Sequence, residues 1–141
     1  MAFLYYQTQG NIVPGNEYLP AGAIVASIGK LLYMSDGNLA VASGTTRPTY
    51  LCVEDSNGKA LTAGDIIAVN RILPDMIFAT TWSAAASAVS AGDRVTISAD
   101  GMQATATTTG GVLEVVAMEG NAAGDRVYVR VPAPEATGGG S

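Results

Sequence analysis

The sequence predicts an all-β fold, a small β-barrel or β-sandwich built from a twice-used hairpin-plus-strands unit with little or no helix. Three observations point there. Ala-Gly phrases, usually followed by Asp, recur ahead of apolar runs. Asp-Gly pairs sit between extended segments, among the stronger short-range hairpin signals. Near the end, Val127, Val129 and Val131 alternate with Arg126, Tyr128 and Arg130, the period of a strand with one buried face.

Along the chain, Phe3, Leu4, Tyr5 and Tyr6 come first as a concentrated apolar arm. They read either as the first strand of the domain itself or as contacts with a partner, since extended arms add to sheet edges. Residues 1–19 are therefore set apart as an arm, residues 20–131 as one β domain, and residues 132–141 as a mobile tail without packing residues.

Within the domain the recurring phrase appears at Ala21-Gly22-Ala23, Ala63-Gly64-Asp65, Ala91-Gly92-Asp93 and Ala123-Gly124-Asp125. Glycine supplies positive φ, aspartate bonds nearby amides, and the β-branched residues that follow favour extension, so each copy predicts a turn that launches a strand. Two hairpins are expected: Leu31–Ser35 with Asn38–Val41 around Asp36-Gly37, and Val95–Ser98 with Met102–Thr105 around Asp100-Gly101. Each is followed by a third strand, Tyr50–Val53 or Val112–Val116, and by the next Ala-Gly-Asp. The pseudo-repeats so defined span about 20–73 and 90–131. Ile66–Val69 does not alternate, which predicts cover on both sides. Trp82–Val89 is the one stretch that reads as a short helix or, equally, as a small-residue loop.

Composition narrows the function. Of 141 residues 48% are hydrophobic and only 13% charged, a balance that suits a surface partly covered by copies of the chain or by a large partner. Lys30 interrupts one apolar stretch and Asn70, Arg71, Pro74 and Asp75 another, so no membrane helix is expected. The N-terminal residues lack a basic region and a long apolar core, which predicts synthesis in a cytoplasm without a secretory signal. With a net charge of −5 and seven scattered basic residues, direct nucleic-acid binding is not expected.

There is no histidine, and Cys52 stands alone, which predicts a buried core thiol and no enzyme. Asp36, Asp65, Asp93, Asp100 and Asp125 all adjoin glycine at turns, where backbone capping accounts for them; no cofactor or metal is expected, and no loop gathers the oxygen ligands calcium needs. Gly-Asp before Val-x-Val also resembles lipoyl and biotinyl carrier domains, but neither Lys30 nor Lys59 has the flanking context of their modified lysine. Trp82 is weighed as a packing residue against a sugar-stacking one.

The order of features, from N-terminal arm through Ala-Gly turn, hairpin, strand, Ala-Gly-Asp strand and small-residue segment to a second such series, resembles the capsid decoration or cement proteins of tailed bacteriophages. The match is best from Ser90-Ala91-Gly92-Asp93-Arg94-Val95 through Asp100-Gly101 to Gly124–Val131, and covers about residues 10–131. The resemblance implies a structural virion protein, often a homotrimer, on the outer capsid surface, where it clamps neighbouring copies of the major capsid protein. Deleting residues 1–9 is then expected to abolish attachment and leave the domain folded. The alternative is a carbohydrate-binding or tail-fibre-type β module.

Overall fold

In the computed structural model, residues 2–8 and 15–133 are described, residues 5–8 by their backbone alone. They contain no helix, and their strands form two antiparallel sheets. The chain opens with β1 (Leu4–Thr8). A first unit follows: β2 (Asn16–Pro20), β3 (Leu31–Ser35), β4 (Asn38–Val41), β5 (Tyr50–Cys52) and β6 (Ile66–Arg71). The second comprises β7 (Met76–Thr81), β8 (Arg94–Ile97), β9 (Ala104–Thr105), β10 (Leu113–Met118) and β11 (Arg126–Arg130).

The two units share one topology. The first sheet runs β2-β6-β5-β3-β4, and the second runs β7-β11-β10-β8-β9 with β1 added outside β7. Each curls so that its ends touch at one corner, through a single parallel bridge between Ala21 and Leu39 in one and between Trp82 and Ala104 in the other. The register matches as well: Tyr18 faces Ala68 and Pro20 faces Ile66, as Ala79 faces Tyr128 and Thr81 faces Arg126. The chain is thus a tandem pair of five-stranded half-barrels.

Relative to the sequence reading, the repeats are longer, Asn16–Arg71 and Met76–Arg130. The first strand of each unit has no Gly-Asp corner ahead of it to mark it. β7 is buried along its whole length and shows no period, as a strand covered on both faces does not alternate. Within β6, Ile67, Ala68 and Val69 are covered as expected, whereas Ile66 is exposed. The stretch after Trp82 is a loop, pinned where the Ala86 N–H donates to the Asn121 carbonyl at 2.7 Å. The arm is also redrawn, since Leu4–Thr8 and Asn16–Pro20 belong to the sheets. Of the tail, Pro132 is buried and its carbonyl accepts from Arg47 Nη1; residues 134–141 lie outside the described ones.

The corners share one hydrogen-bonded geometry. Asp65, Asp93 and Asp125 each accept through Oδ2 from the N–H three residues back, Thr62, Ser90 and Ala122, at 2.9, 2.9 and 3.0 Å. Each also donates its own N–H to that residue's carbonyl, while Gly64, Gly92 and Gly124 supply φ of 96°, 95° and 86°. Gly22 is different: it has no positive φ and donates to Leu39 O at the end of β2, where the second unit has Ser83 donating to Ala104 O. The true counterpart of the Ser90–Asp93 corner is Ser27-Ile28-Gly29-Lys30. There Lys30 N–H donates to Ser27 O, Gly29 N–H to Cys52 O and Cys52 N–H to Lys30 O, matching Asp93 to Ser90, Gly92 to Val115 and Val115 to Asp93. Lysine at the aspartate position hid it; its Nζ donates instead to Val25 O at 2.9 Å.

The Asp36-Gly37 loop has φ of 51° and 84°, a type I′ hairpin turn. In the other hairpin, burial by itself would raise the Asp100 pKa, but Ser98 Oγ at 2.6 Å and the Met102 N–H at 3.1 Å donate to Oδ1 and hold it below the usual aspartate value. A lowered pKa contributes stability above the ordinary value near 3.9 and loses it as pH falls through the folded one. The carboxylate is exposed and screened, so Asp100→Ala should cost about 0.5 kcal/mol at neutral pH. The loss should shrink on acidification; thermal melts showing the same loss at neutral and strongly acid pH would refute this.

The first half-barrel is filled by Leu32, Leu39, Cys52, Ile67 and Val69. The second is filled by Phe78, Val95, Leu113, Val115, Val127 and Val129, and this core continues to Leu31 and Leu51 on the outer face of the first unit. The units are also stitched by backbone, with Gly44 and Ile97 exchanging hydrogen bonds and Leu31 N–H donating to Gly101 O. A Cβ on Gly101 would lie 2.8 Å from Val41 Cγ1 and 3.2 Å from the carbonyls of Ala42 and Leu31, so the turn glycine doubles as a point of close approach.

Candidate interaction surfaces

Phe3, proposed as a partner contact, is 1% exposed and lies in the core shared by the two units, its N–H donating to Gly29 O at 2.9 Å. Its aromatic ring is spent inside the molecule. Leu4 is 44% exposed on β1, across from Ala79. Tyr5 and Tyr6 belong to β1 by backbone, and their side chains lie outside the described residues. Trp82 is fully buried and its Nε1 donates to Gly120 O at 3.1 Å, so its ring face is not offered to a sugar. Cys52 is buried too, and burial pushes its thiol pKa up. Among the described residues no three of the Asp, Glu and Cys side chains gather as a metal ion would require, and no helix is long and apolar enough to cross a membrane.

Two surfaces stand out instead, both from comparing equivalent positions in the two units. One is the outer face around a cross-strand row. In the first unit that row is Leu31, Leu51 and Asn70, and its two leucines are buried against the second unit. In the second unit the same positions hold Arg94, Glu114 and Arg130, all partly exposed. Arg130 Nε meets Glu114 Oε1 at 2.6 Å. Arg47 stands close by: burial and then the charge of Arg94 lower its pKa. Tyr128, on the same face, donates to Glu119 Oε2 at 2.7 Å. Basic residues that are scattered in sequence are thus drawn together by strand register.

The other surface is the β2 edge. Tyr18 is 67% exposed and Ile66 57%, and both project from one face of the first sheet. Asn70 Oδ1 on that face is buried without a hydrogen-bond partner among the described residues. On the opposite face Arg71 stacks over Tyr50 and bridges Glu17 at 2.9 Å, an exposed pair of small energetic weight. The second unit has Ala79 at the position of Tyr18, 6% exposed, with β1 alongside. Composition hinted at apolar surface, but Tyr18 carries no local signal, because its exposure depends on which edge β1 occupies. No protein-family model matches this chain, and no curated protein is significantly similar to it.

Proposed function

We propose that this protein is a structural virion component that binds the outer surface of a bacteriophage capsid, contacts the major capsid protein and stabilises the shell as a homotrimer. The observation that carries the reading is the unequal use of one face. The first unit buries Leu31 and Leu51 in an internal dock, whereas the second turns the matching row of Arg94, Glu114 and Arg130 outward. On a chain of net charge −5, a local group of Arg47, Arg94 and Arg130 suits an acidic protein surface. The sequence resemblance to decoration proteins supplies the identity of that surface.

The test is incubation with undecorated capsids. Binding should saturate at a fixed ratio to the major capsid protein and raise the temperature at which the shells open. Arg94→Glu with Arg130→Glu should lower occupancy about tenfold or more at moderate salt, since like charges meet in place of opposite ones. Binding that never saturates, or that ignores both charge reversals, would refute the proposal.

A further inference from the structure

The second unit shows what the edge of its first strand can accept. β1 lies antiparallel along β7, with Leu4 opposite Ala79 and Thr8 opposite Met76. By the shared register, Met76–Ala79 corresponds to Gly15–Tyr18 of the first unit. Among the described residues no strand lies on that edge, and β2 ends its sheet. The far end of β2 is closed where Ala21 meets Leu39, so the open part is its N-terminal half, Asn16–Tyr18. Among the described residues β1 is the outermost strand of the other sheet, so it too presents an unpaired side. Unpaired backbone along an edge is a template for another strand.

We infer that the open edge of β2 receives the outer side of β1 from a second copy of this chain, giving a continuous sheet β6-β2-β1-β7 across two molecules. β1 would then be flanked on both sides by equivalent edges, its own β7 and the neighbour's β2. The contact keeps Phe3 in its own core, because β1 does not leave β7. It also sets Leu4 beside Tyr18, two of the exposed large apolar side chains. The joined surfaces differ, so the contact is head-to-tail and satisfies every edge only when the copies close into a ring. The inference gives the proposed homotrimer its contact, but it needs no capsid, since it concerns copies of the chain in solution.

Two single-cysteine additions test it. Leu4→Cys and Tyr18→Cys change exposed side chains and should leave the melting temperature near that of the parent, and buried Cys52 is out of reach of reagent. A short bis-maleimide should link the two variants when they are mixed and leave each variant alone largely unlinked. Native mass spectrometry of the unmodified chain should show a closed oligomer, and Tyr18→Asp should weaken self-association about tenfold or more by placing a carboxylate in an apolar contact. Linking of Tyr18→Cys with itself would mean a two-fold contact and overturn the inference. So would the absence of any mixed product at protein concentrations up to about a millimolar, where even weak self-association is populated.

Discussion

Phe3→Ala should destabilise the fold by about 3–5 kcal/mol, the range for emptying a buried aromatic site. Phe3 is 1% exposed and belongs to the core that joins the two half-barrels. Its backbone ties to the Ser27–Lys30 corner of the first unit, while the next residues pair with β7 of the second. Leu4→Ala one position away should cost under about 0.5 kcal/mol, because Leu4 is largely exposed. Chemical denaturation of both variants checks the contrast, and equal losses would refute it. For the same reason, deleting residues 1–9 should lower stability as well as attachment, unlike the clean separation that the sequence suggests.

Trp82→Ala should cost about 3–5 kcal/mol as well, through cavity formation and an orphaned carbonyl at Gly120. Trp82 closes the second half-barrel: its backbone bridges Ala104, its N–H donates to Asp125 O, and Gly124 donates to its carbonyl. Ala21 makes the matching set of bonds, to Leu39, Asp65 and Gly64, in the first unit. One seam is therefore plugged by the largest side chain and the other by nearly the smallest. Denaturation midpoints and glycan binding together decide the role of Trp82. A variant that melts like the parent but loses affinity for a sugar would restore the carbohydrate-binding alternative.

Much of the fold was legible because it rests on short-range chemistry. The Asp36-Gly37 and Asp100-Gly101 hairpins and the corners at Asp65, Asp93 and Asp125 follow from residues within three positions of one another. The Ser27–Lys30 corner was hidden because its geometry needs only the glycine, and Lys30 caps a different carbonyl. β7 was hidden because a strand covered on both faces has no period to read. The interaction surfaces were less legible still: Arg94, Glu114 and Arg130 are far apart in sequence and become neighbours only through β8, β10 and β11.

By itself, the sequence determined the all-β class, the turn positions and the repetition, since glycine φ, aspartate capping and side-chain alternation are local properties of the chain. The tertiary structure alone decided that β1 lies on the second unit rather than the first, and with it the burial of Phe3 and the exposure of Tyr18. The physical reason is that the two units offer β1 equivalent edges. Choosing between them depends on long-range packing, on Phe3 fitting the seam between the half-barrels, and no local pattern encodes that fit.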